Sequence, residues 1–142
     1  MTYIFKEKLN LLELSGKTTE SYKVLTVGLE EDLGRLYESY LASRGLNVAH
    51  CYSFDAAHKH IETHLPHLVL INIAEPKPTR QLLSLLYQIK LLYPSLLIVS
   101  LGQNINHEFL KQIMSAGVCS HVDRRFSRPQ DLVDIITTLL HK

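Results

Sequence analysis

From residue 23 onward the apolar positions follow two alternating patterns. Short, nearly unbroken apolar runs occur at 24–27, 68–71 and 96–101. Runs this short and this uniform suit strands buried on both faces, as in a parallel sheet covered by helices. A more polar run, 46–52, reads as an edge strand, and 118–122 as the last strand. Between the runs the apolar residues recur at helical spacing. Leu33, Leu36, Tyr37, Tyr40 and Leu41 form one such face, which Gly45 ends, and the acidic Glu30, Glu31 and Asp32 sit where the helix dipole favours negative charge. Ser53 is placed to cap a helix reaching about Leu65, with Ala57, Ile61 and Leu65 inward. A further helix spans about 79–93 and is closed by Pro94. The next carries Phe109, Leu110, Ile113 and Met114 and stops at Gly117. The last carries Leu132, Ile135, Ile136, Leu139 and Leu140. Strands and helices in strict alternation predict an α/β fold: a doubly wound parallel sheet with helices on both faces.

Residues 1–21 stand apart as an N-terminal arm, and 22–142 form the domain. In the arm, Phe5, Leu9 and Leu12 fall at helical spacing and Gly16 can stop a short helix, although residues 2–5 also suit an extended segment. The polar stretch 17–21 reads as a linker. The arm is either a docking or dimerising element or a loosely packed extension.

Composition narrows the function classes. With 142 residues, 46% of them hydrophobic and 20% charged, the chain has enough apolar material for one core without metals or disulfides. A net charge of +1 gives no bulk attraction to nucleic acid or anionic lipid. The sequence shows neither a membrane-spanning apolar run nor a signal-peptide pattern. Cys51 and Cys119 have no metal or redox spacing and read as reduced thiols of a cytoplasmic protein.

Candidate chemistry centres on the stretch from His67 to Pro76, where Asn72 sits at the C-terminal end of the apolar run. In open α/β sheets, ligands and chemistry collect at the C-terminal ends of the strands. A carboxamide there is neutral, and its oxygen is a poor nucleophile.

Several landmarks at matching separations carry a family resemblance. They are the strand and acidic turn from Val24 to Leu33, Gly45 before the second strand, and the strand from Leu68 to Asn72 with its following Pro76. Ser115, Ala116, Gly117 and Val118 add the turn after the fourth helix, and Arg124, Arg125 and Phe126 the end of the fifth strand. In these features residues 23–142 resemble the receiver domain of bacterial two-component response regulators. The resemblance implies a flavodoxin-like, five-stranded sheet of strand order 2-1-3-4-5.

It also implies where the family's chemistry would sit and how this chain departs from it. The family's phosphoacceptor Asp corresponds to Asn72, and its metal-binding acidic pair to Gly28 and Leu29, with Glu30 one position beyond. Mg²⁺ wants carboxylate oxygens, which Gly and Leu do not offer. Nucleophile and metal site are thus lost together, and without metal nothing would neutralise a transferring phosphoryl group. Ser100 matches the hydroxyl residue that contacts the phosphoryl group, ahead of a longer loop than the family's. Arg124 stands in place of a Lys, keeping the charge but not the compact geometry. Arg125 replaces the family's proline, and His121 takes the aromatic switch position. Asn72 is expected to bond locally, to Ser100 or Arg124.

Other candidates have plainer alternatives. His58, His60, His64 and His67 cluster, and His60 and His64 lie one helical turn apart, a spacing that can chelate a transition metal; no further ligand completes a tetrahedral set, so the expectation is an exposed polar face without metal or cofactor. Lys77, Arg80, Arg124, Arg125 and Arg128 place basic charge on loops, read as solvated charge rather than a nucleic-acid surface. In the third helix Leu82, Leu85, Leu86 and Ile89 suffice for a core face. Leu83, Tyr87, Leu91, Leu92 and Tyr93 add apolar surface on other sides, expected to form a partner or self-association interface or to be covered by the N-terminal arm.

The function expected from these residues is non-enzymatic. It is that of a pseudo-receiver in signal transduction, acting through protein partners or homodimerisation without Asp phosphorylation, with no nucleic-acid or membrane binding of its own. In the family the surface of helix 4, strand 5 and helix 5 carries output, which here includes His121, Asp123 and the exposed side of 131–140. The chain stops after its fifth helix, so no output domain is expected within it. Two alternatives are the N-terminal regulatory domain of a larger transcriptional regulator, and a small-molecule or anion-binding module using the vacated pocket.

Overall fold

The computed structural model describes residues 22–74, 76–125 and 127–141. The 1–21 arm, with the helical, extended and linker readings made of it, lies outside the described residues, as do Glu75 and Phe126. Five strands alternate with five helices: β1 (Lys23–Val27), α1 (Glu31–Ala42), β2 (Asn47–Cys51), α2 (Phe54–His64), β3 (Leu68–Ile73), α3 (Arg80–Leu92), β4 (Leu97–Gly102), α4 (His107–Ser115), β5 (Ser120–Asp123) and α5 (Pro129–Leu140). All strand pairings are parallel and the order is β2-β1-β3-β4-β5. This is the doubly wound α/β sheet expected from the alternation.

The sheet separates two cores. On one face Leu25, Val27, Val69, Ile71, Ile73 and Ile98 pack with Ala57 and Ile61 of α2, the inward residues of α3, and Phe109 and Ile113 of α4. On the other, Val24, Leu68, Leu70, Val99, Leu101 and Val122 pack with Tyr37 and Leu41 of α1 and with Leu132, Val133, Ile136 and Leu140 of α5. The central strand β3 is buried from both sides because its alternate residues feed both cores. The more polar β2 lies at an edge, where partial exposure accommodates it.

Capping fixes the helix starts. The Ser53 hydroxyl accepts from Ala56 N at 3.1 Å, Thr79 from Leu82 N at 3.1 Å, and Asn106 from Phe109 N at 2.7 Å. Three inward expectations fail: Leu36, Leu65 and Met114 are exposed. Each lies at the margin of an apolar stripe wider than the sheet can cover, and Leu65 falls past the end of α2. The last strand also begins two residues later than its apolar run. After α4 the chain turns at Gly117, with φ of +120°, and Val118 N donates back to Ile113 O at 3.0 Å. Closing the helix uses the Val118 amide, so the chain first bonds β4 through Cys119 N, which donates to Ile98 O at 2.9 Å, and β5 runs from Ser120.

Candidate functional site

The C-terminal ends of β1, β3, β4 and β5 bring the candidate residues to one edge of the sheet, but not in the arrangement expected. The Asn72 amide, Nδ2, donates to the Gly28 carbonyl at 3.0 Å across 44 residues of sequence. Its Oδ1 is buried without a hydrogen-bond partner among the described residues. The expected bond to Ser100 or Arg124 is therefore replaced by one to backbone. The reason is register: Val27 pairs with Ile71, so Gly28 follows β1 directly beside Asn72. Gly28 has φ of +79°, and its own N–H is held by Cys51 O at 2.9 Å. Its left-handed turn presents its carbonyl to the amide, and a Cβ there would lie 3.6 Å from the Asn72 carbonyl oxygen.

Leu29 is a core residue of the α1/α5 face rather than a lining residue of an open pocket. Glu30 occupies the N-cap position of α1 without using its side chain as a cap. Its Oε1 instead lies 3.4 Å from Arg124 Nη2, a long, largely exposed ion pair worth little in stability. Arg124 is anchored through its backbone N–H to Gly102 O at 2.8 Å. Its charge reaches Tyr37, whose phenol burial pushes up while Arg124 draws it partly back.

Ser100 is fully buried, and its hydroxyl lies 2.6 Å from His121 Nδ1. Burial holds the His121 imidazole below the usual histidine range, while Asp123 pulls in the opposite direction. Asp123 is gripped by Arg125, whose backbone N–H and guanidinium both donate to it, and these bonds keep its carboxyl below the ordinary range. Arg125 also reaches Asn104 Oδ1 at 2.6 Å. Asn104 is in the left-handed region with φ of +61°, a conformation its short amide side chain tolerates.

A second hydroxyl–imidazole pair, which the sequence patterns do not announce, lies on the other flank of the sheet. Thr26, fully buried, meets His50 Nδ1 at 2.5 Å, and His50 Nε2 meets Glu38 Oε1 at 2.8 Å. The signal that could have found it is register: Thr26 pairs with His50 on β2 as Ser100 pairs with His121 on β5.

Of the expected interface residues, Tyr87 and Leu91 are 55% and 81% exposed. Leu83 is partly buried and packs against the α2–α4 core. Leu92, which extends the exposed apolar area, is 56% exposed. On α5, Asp134 is tied to Arg44 at 2.8 Å. A cavity of about 470 Å³ opens beside Asn72 and Gly28, lined also by Tyr52, Phe54, Asp55, Thr79 and Gln81. Among the described residues, no group of three or more His, Cys, Asp or Glu side chains is placed to hold a metal ion, and no helix is long and apolar enough to cross a membrane.

No family model matches the sequence, and no curated protein is significantly similar to it. Solved structures do match. An orphan response regulator of H. pylori superposes with a TM-score of 0.74 at 19% identity, over 84% of this chain and 97% of that one. A CheY-like response regulator receiver domain protein from Methanospirillum hungatei does so with a TM-score of 0.75 at 19% identity, over 86% and 95%. NtrX from Brucella abortus, solved with ADP, matches with a TM-score of 0.71 at 23% identity, over 86% of this chain but 26% of its own. At these identities the likeness is one of fold, and the fold is that of CheY-like receiver domains.

Proposed function

We propose that this chain is a receiver-like signalling domain that works by protein contact or self-association and does not accept a phosphoryl group. The carrying observation is the Asn72–Gly28 hydrogen bond. At the end of the central strand, where the family resemblance puts a nucleophilic carboxylate, a neutral amide is committed to a backbone carbonyl. The two positions that would supply metal-binding carboxylates hold a glycine in a left-handed turn and a core leucine. Three carboxylates crowded at one site repel and rely on a cation to offset the repulsion. In this reading the domain has no such charge to offset, so it is a cytoplasmic module of a bacterial signalling pathway that is not an enzyme and needs no Mg²⁺.

A second reading, the N-terminal regulatory domain of a larger transcriptional regulator, is favoured by the NtrX likeness, in which the matched part is about a quarter of that protein. A third, a small-molecule module, is favoured by the cavity beside Asn72, whose size suits a small ligand. Asp55 and the absence of Lys or Arg among the described lining residues argue against an anion as its occupant.

The test is intact-mass measurement after incubation with acetyl phosphate and Mg²⁺. The proposal expects no mass increase for the wild-type chain or for Asn72→Asp. A gain of one phosphoryl group by the wild type overturns it.

A further inference from the structure

The helix α2 carries a feature that the signalling reading leaves unused. His60 and His64 are one turn apart, and their rings stack with centroids 4.8 Å apart and planes at 26°. They line a recess of about 280 Å³ beside the edge strand β2, together with Lys23, Asn47 and Pro66.

The hydrogen bonds around them suit one tautomer of His64. Thr63 Oγ1 donates its single proton to a backbone carbonyl, to Lys59 O at 3.0 Å or His60 O at 3.4 Å. With that proton on a carbonyl, the same oxygen accepts at its 2.8 Å contact with His64 Nδ1, which suits the tautomer protonated at Nδ1. The Nε2 of His64 then carries the free lone pair. Metal-ligating histidines are oriented in this way, with the non-ligating N–H donated to a fixed acceptor. The His60 ring makes no hydrogen bond among the described residues, which leaves its lone pair available beside the stacked His64 ring.

We propose that His60 and His64 form a bidentate site for a divalent transition ion of the nickel, copper and zinc group, with water filling its other positions. Imidazole nitrogens select these ions over Mg²⁺ or Ca²⁺, which take oxygen ligands. With the His64 ring held by Thr63, rotation of the His60 ring about its Cβ–Cγ bond turns the stacked pair into a chelate with metal–nitrogen bonds of about 2.0–2.1 Å. Binding replaces two waters of the aqua ion with two neutral ring nitrogens and needs no redox step. Lys23 in the same recess opposes a cation, so binding rests on the two nitrogens rather than on the local field. This site is independent of whether the domain accepts phosphate.

Titration calorimetry of the tag-free full chain with Ni²⁺ at about pH 7.5 tests it. The expected result is one ion per chain and no binding of Mg²⁺. Affinity should fall about tenfold or more in both His60→Gln and His64→Gln, fall measurably in Thr63→Val, and stay unchanged in His58→Gln. A measurement on the wild type guards against variants that misfold: Zn²⁺ should shift the NMR signals of residues 60–64. Absence of binding, binding retained in both His variants, or Zn²⁺ shifts located elsewhere overturns the proposal.

Discussion

Ser100 and His121 are register partners on adjacent parallel strands, and their side chains meet with the hydroxyl 2.6 Å from Nδ1. The hydroxyl is fully buried. Truncating one partner leaves the other short of a hydrogen bond in a part-buried site. Ser100→Ala should therefore destabilise the domain by about 1–3 kcal/mol, measured by urea unfolding at neutral pH. Ser100→Thr, which keeps the hydroxyl, should lose less.

The same pair makes stability pH-dependent. Burial sets the folded-state affinity of His121 for protons below that of the unfolded chain. The unfolded state therefore binds more protons in the window just below the ordinary histidine value, and stability rises with pH there. The contribution is complete above about pH 6.5 and is lost as pH falls toward the depressed folded value. Urea midpoints across this range should decline on acidification, and His121→Gln should flatten the decline. An unchanged slope in the variant removes His121 as its source.

The elements were legible because short apolar runs and helical stripes report directly on burial, as for Leu68 to Ile71, buried on both faces, and Ala57 and Ile61 of α2. What a residue at the strand ends bonds to was not legible. Asn72 reaches Gly28 rather than Ser100 because the offset of β3 against β1 and β4 decides which atoms meet, and no residue type encodes that offset. The pairing of Thr26 with His50 is hidden in the sequence for the same reason. At the margins of helix faces, apolar spacing overstates burial. Leu83 and Tyr87 both belong to the extra apolar surface of α3, yet the small angle between them puts one against the core and the other in solvent.

The Asn72–Gly28 bond makes a simple substitution informative. Asn72→Asp replaces an N–H donor with an oxygen facing a carbonyl oxygen, and the carboxylate has no partner there. The expected loss is about 1–3 kcal/mol near neutral pH. Repulsion and burial raise the folded-state value of the new carboxyl, so the deficit relative to wild type should shrink as pH falls and the group protonates. Paired urea titrations of the two proteins at matched pH measure it. A deficit that grows on acidification would show that the new carboxylate had found a favourable partner instead.

On α3, Tyr87 and Leu91 stand one turn apart and are largely exposed, with Leu92 exposed beside them. Largely exposed apolar side chains contribute little to folding, so Tyr87→Glu and Leu91→Glu should each change stability by less than about 0.5 kcal/mol. If this surface serves self-association, as proposed, the same changes bury a charge at the contact and should disrupt it. Light scattering coupled to size exclusion should then give a mass above the monomer for the wild type and a monomer mass for each variant. Leu83→Glu separates surface from core, because Leu83 packs inward and its substitution should lower the urea midpoint directly. A wild-type chain that stays monomeric at high concentration would leave an unlike protein partner, rather than a second copy, as the occupant of this face.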